Sequence, residues 1–137
     1  MNGVTVSGTW DMKPRRGDGA GVRFMRLLAK LNEVKASVGV IDRVIYELPG
    51  TFKSCAADDV IRGMVAHIQS WAEHEHIPYE GVSPTEVKKF ATGKGGGSGT
   101  DKAAMVELAK KRWGSISNHN EADALFILAM VTEGRME

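Results

Sequence analysis

The chain has 137 residues, 42% of them apolar, a formal net charge of +1 and a single cysteine. That length suits one domain spanning residues 1–137, and the apolar content excludes an unfolded chain. Lone Cys55 excludes an internal disulfide or a cysteine zinc site and fits a reduced cytoplasmic setting; the sequence carries no apolar run long enough for a membrane span and no secretory leader.

In chain order, Val4-Thr5-Val6-Ser7-Gly8-Thr9-Trp10 alternates and is β-branched, which predicts a strand. Residues 13–21 are basic and glycine-rich and read as a loop. From Val22 to about Val38, Phe24, Leu27, Leu28, Leu31 and Val34 recur at helical spacing. Arg43 to Leu48 reads as a short apolar strand closed by Pro49-Gly50. Residues 56–74 read as a second helix with Val60, Gly63, Met64, His67, Ile68 and Trp71 on one side. Tyr79-Glu80-Gly81-Val82 reads as a strand, and Pro84-Thr85-Glu86 opens a brief helix to about Phe90. After the glycine loop, Lys102 to about Trp113 and Glu121 to about Thr132 read as helices. Asn120 serves as N-cap of the last one, with Asp123 three residues on. Strands alternating with helices predict an α/β fold with at least two parallel strands.

Two stretches place acids on apolar elements. Val44-Ile45-Tyr46-Glu47-Leu48-Pro49 ends a strand with a carboxylate, and Asn120-Glu121-Ala122-Asp123-Ala124-Leu125 opens a helix with two. Such acids are costly unless a cation sits between them, and Mg²⁺ or Mn²⁺ takes oxygen ligands of this kind. Sites in open α/β sheets gather at the carboxyl ends of strands, where Glu47 falls. The plainer readings are a helix cap for Asp123 and a paired surface acid for Glu47. Between the two stretches runs Lys88-Lys89-Phe90-Ala91-Thr92-Gly93-Lys94-Gly95-Gly96-Gly97-Ser98-Gly99-Thr100-Asp101-Lys102. Residues 86–112 hold seven basic against three acidic side chains. The loop fails the P-loop template, because Ser98 and Gly99 stand where Gly-Lys is required. A nucleotide hydrolase is thereby disfavoured, while Lys88, Lys89, Lys94 and Lys102 remain suited to nucleic-acid phosphates. A second basic cluster, Lys13, Arg15 and Arg16, precedes Arg23 and Arg26; it reads as a phosphate-contacting face or as solvated surface. His119 adjoins the acidic helix start, and the tryptophans Trp10, Trp71 and Trp113 read as packing residues.

The run Ile77-Pro78-Tyr79 through Val82-Ser83-Pro84, then Val87-Lys88-Lys89, Thr92-Gly93-Lys94-Gly95, Asp101-Lys102 and Glu121-Ala122-Asp123-Ala124-Leu125, resembles the RuvC family of Holliday-junction resolvases, most of all its phage-type branch. The resemblance runs from about Val44 to Met130. It implies an RNase H-like fold, a mixed sheet flanked by helices, and metal-dependent cleavage of branched DNA by a homodimer. Of the family's four metal-liganding positions, Glu47 matches the second and Asp123 the last. The third falls near Asn120, so Glu121, His119 or Asn118 would be a shifted substitute. Lys88 and Lys102 match basic positions near the scissile phosphate. The family's leading aspartate, on a first strand followed by a second, has no counterpart; Val4 to Trp10 matches the third strand. The resemblance therefore implies an N-terminally truncated version of the fold, with Glu47, Asp123 and Glu121 as catalytic and metal-binding residues. A junction-binding relative without catalysis is the alternative.

Overall fold

The structure is a computed structural model that describes residues 4–49, 55–93 and 101–133. Within them the chain forms helix α1 (Val22–Val38), strand β1 (Val44–Glu47), helix α2 (Cys55–His74), strand β2 (Tyr79–Val82), and helices α3 (Pro84–Thr92), α4 (Lys102–Trp113) and α5 (His119–Thr132). The two strands pair in parallel, and α2 is the crossover between them. No helix among the described residues is long and apolar enough to cross a membrane. The chain divides into two compact units, residues 11–81 and residues 1–10 with 82–137.

In the 11–81 unit, α1 and α2 lie side by side in the same direction. Phe24 stacks on His67 with ring centroids 4.6 Å apart. Trp71 donates its indole N–H to Asn32 Oδ1 at 2.9 Å, and one turn further on Lys35 pairs with Glu75. Gly63 permits the close approach, because a Cβ there would stand 2.7 Å from the Phe24 ring. The core gathers Trp71, Ala72 and Ile77, with Leu28, Leu31, Ile41, Val44 and Tyr79 packed around them. Trp71, on the apolar side assigned from the sequence, is only 6% exposed.

In the other unit, α5 is the central element. Its apolar residues surround the axis rather than forming a stripe, as suits a helix covered on several sides. Ala122, Leu125, Phe126, Ile127, Ala129 and Met130 are buried, packed by α3 and α4, which contribute Val87, Met105 and Ala109. Trp113 meets Phe126 edge-on at 5.0 Å and carries the Arg112 guanidinium over its other face, so it is a packing residue.

Two expectations are corrected. Residues 4–10 form no strand: Ser7 and Thr9 turn their hydroxyls toward the start of α5, while Val4, Val6 and Trp10 stay exposed. Alternation produces a ladder only where a neighbouring strand supplies backbone partners. And α5 begins two residues earlier than expected, with Asn118, not Asn120, as its N-cap.

Candidate functional site

Three helix starts or ends set the positions of the polar residues in the 82–137 unit. Ser83 and Glu86 form a reciprocal capping box at 3.1 Å in each direction, Pro84 occupies the first turn, and Gly93 closes α3 in the left-handed region at φ 85°. That frame fixes Lys88 and Lys89 on α3. At α4, Asp101 Oδ1 accepts the Ala104 N–H at 2.8 Å and places Lys102 at the first helical position. At α5, Asn118 Oδ1 accepts the Glu121 N–H at 3.0 Å.

Glu121 and Asp123 then part company. Glu121 is the one buried charged residue among the described positions, 7% exposed. Its Oε1 accepts the backbone N–H and the hydroxyl of Ser117, both at 2.8 Å, and its Oε2 accepts the Ser7 hydroxyl at 2.8 Å. The Ser117 N–H above all, then the Ser7 and Ser117 hydroxyls, hold its carboxyl below the ordinary glutamate range. No cation is needed, because three donors and the helix start stabilise the charge. Thr9 extends the same network, donating to Asn118 Oδ1 at 3.3 Å. Glu121 thus ties residues 4–10 to the start of α5.

Asp123 lies two residues further along the helix, past the capping positions, so the N-cap geometry does not account for it. It is half-buried, and its carboxylate has no hydrogen-bond partner among the described residues. Burial pushes its pKa above the ordinary aspartate value, against the opposing pull of His119, Lys88 and Lys102. His119 precedes it by one turn on the same helix face. Lys88 comes from α3 and Lys102 from the first position of α4, and neither closes to an ion pair with it. Desolvation and the neighbouring cations thus act on the Asp123 carboxyl in opposite directions.

The remaining expected residues fall as follows. Lys89 is exposed on α3, beside an open groove of about 340 Å³ lined with Glu86, Phe90 and Met130. Lys94 lies outside the described residues, as does most of the glycine loop. Glu47 ends β1 and is exposed; it belongs to the 11–81 unit, whereas Asp123 and Glu121 belong to the other. Among the described residues, no three His, Cys, Asp or Glu side chains gather as a metal site would require. The residues that sequence reasoning missed are Ser7 and Ser117. Ser117 could have been found from Ser-Asn-His-Asn-Glu as a capping sequence, but Ser7 lies 114 positions from its partner and leaves no local signal.

No protein-family profile and no curated protein matches the sequence. The fold does have solved counterparts. The chain is similar to a Thermus thermophilus RuvC structure at 17% identity and a TM-score of 0.66, over 89% of this chain and 75% of that one. It is also similar to T. thermophilus RuvC in complex with a Holliday junction substrate, at 16% identity and a TM-score of 0.65, over 88% and 77% of the respective chains. The fold is RuvC-like.

Proposed function

We propose that this protein is a structure-selective endodeoxyribonuclease of RNase H-like architecture, dependent on Mg²⁺ or Mn²⁺, that cleaves branched DNA such as four-way junctions. The observation that carries this reading is Asp123: a half-buried carboxylate with no hydrogen-bond donor among the described residues, and with Lys88 and Lys102 close enough to bias its charge. The RuvC-like fold supports the substrate class, because one solved counterpart is bound to a Holliday junction.

In this reading Asp123 is a ligand of the divalent ion, which when bound would supply an activated water and stabilisation of the leaving oxygen; Glu47 and Glu121 are the further ligands that the resemblance to the family implies. Glu121 positions the start of α5 and so aims Asp123. Lys88 and Lys102, with Lys89 and Lys94 further along the basic segment, neutralise backbone phosphates and hold the strand in register. Recognition follows the shape of the junction more than its bases. A homodimer would present two such sites to the two strands that must be cut for symmetric resolution.

A second reading, a junction-binding protein without catalysis, is favoured by the lack of a three-residue metal cluster among the described residues. A labelled four-way junction incubated with and without Mg²⁺ or Mn²⁺ separates the two. Metal-dependent nicking that disappears in Asp123→Asn, with junction affinity retained, supports the nuclease. Salt-sensitive binding with no nicking under either metal replaces it with the second reading.

A further inference from the structure

Residues 11–26 carry five basic and two acidic side chains. Their hydrogen bonds divide them into a brace and a display. Arg26, on α1, sends one guanidinium N–H to Asp18 Oδ2 and another to the Lys13 carbonyl, both at 2.8 Å. Asp18 Oδ2 also accepts the Arg15 N–H at 2.7 Å, and the Asp18 N–H returns to the Arg15 carbonyl at 2.9 Å. Gly17, at φ 89°, takes the left-handed position that this turn requires. Asp11 secures the other end by accepting the Lys13 N–H at 3.0 Å. The Arg15 backbone N–H, followed by the Arg26 guanidinium, holds the Asp18 carboxyl below the ordinary range, so the brace stays charged at neutral pH.

The brace uses Arg26 and Asp18 and leaves Lys13, Arg15 and Arg16 exposed, with no side-chain hydrogen bond among the described residues. A solvated charged surface has no need of a hydrogen-bonded turn to hold it. A phosphate-binding tip does, because ordering three long cationic side chains on binding is costly unless their backbone is already fixed. The topology adds a location within the unit. Residues 39–43 reverse the chain between α1 and β1, so the loop before α1 lies toward the end of the unit where β1 finishes at Glu47.

We infer that the braced turn at residues 13–18 is a second DNA-backbone contact, in which Lys13, Arg15 and Arg16 bind phosphates of a duplex arm of the junction. The inference rests on the nuclease reading for its ligand. It concerns sequence-independent affinity rather than chemistry.

The test measures binding of the full chain to a fluorescein-labelled four-way DNA junction in EDTA, from about 50 to 200 mM salt. The triple variant Lys13→Ala/Arg15→Ala/Arg16→Ala is expected to bind roughly 10-fold or more weakly, with the salt slope flattened by about two to three. Arg16→Ala alone should flatten it by about one. Asp18→Ala is the sharper variant. It removes a negative charge, so simple attraction predicts tighter binding, whereas loss of the brace predicts binding a few-fold weaker. An unchanged slope in the triple variant, beside a flattened one in Lys102→Ala, overturns the inference and leaves the nuclease reading standing. Equal or tighter binding by Asp18→Ala overturns it as well. A wild-type chain that binds no junction ends both.

Discussion

The two compact units treat their acids in opposite ways. In the 11–81 unit, Asp18 is clamped by Arg26 and Glu75 is paired with Lys35, and both carboxyls are held below their ordinary range. In the 82–137 unit, Glu121 is satisfied by hydroxyls and a backbone N–H without any cation, and Asp123 is left half-buried and raised. In the first three, fixed partners lower the energy of the charged form in the folded state. For Asp123, burial works against the charged form, opposed by His119, Lys88 and Lys102.

The strongest way to break this contrast is Asp123→Asn. Cleavage of a four-way junction should fall by roughly 100-fold or more, the scale of losing a direct metal ligand rather than one of its supports. The same variant should raise the thermal midpoint by about 2 °C at pH 7, since an uncharged amide escapes the desolvation penalty. A midpoint that drops, with cleavage intact, would make Asp123 an ordinary structural acid.

Glu121→Gln should move stability in the other direction. The amide would set an N–H₂ against the donors of Ser7 and Ser117, so the midpoint should fall by roughly 5 °C. The pH dependence follows from the signs. A glutamate lowered in the fold adds stability that is complete above its ordinary value of 4.5 and is lost as pH falls through the folded value. Asp123, raised in the fold, contributes with the opposite sign: its effect is favourable while it is protonated, below its ordinary 3.8, and is lost as pH rises through the raised value. Melting curves across the acid range should therefore steepen less in Glu121→Gln than in wild type. Equal acid limbs would remove Glu121 from the accounting.

A smaller effect is expected from Lys88→Ala. Lys88 pulls the Asp123 pKa down, so its loss should push that pKa higher still, as read from the carboxyl carbon shift in an NMR titration. The salt slope of junction binding should also flatten by about one. Smallest of all is Ser7→Ala, which removes one of three donors to Glu121; it should raise that pKa slightly and lower the midpoint by about 1 °C.

The helices and both paired strands were legible because apolar periodicity is local. Phe24, Leu27, Leu28 and Leu31 mark α1, and the Ser83-Pro84 start marks α3, without help from the rest of the chain. The start of α5 was less so, since Asn118 and Asn120 each precede an acid by three residues and both fit a capping pattern. Residues 4–10 alternate like a strand, but strand character depends on a neighbour, and their neighbour is the start of a helix. The distinction between Glu121 and Asp123 was invisible for a similar reason. It depends on Ser7, far away in the chain, and on packing that leaves the buried Glu121 carboxylate with donors and the half-buried Asp123 carboxylate with none among the described residues.

The aromatic residues offer an optical route to the division of the chain. Trp71, enclosed by its unit and bonded to Asn32, should emit at short wavelength, and Trp113, set between Phe126 and Arg112, should emit differently. Replacing Trp10 with Phe leaves one indole in each half. Denaturant titrations followed by emission colour would then reveal whether the halves melt together or in turn.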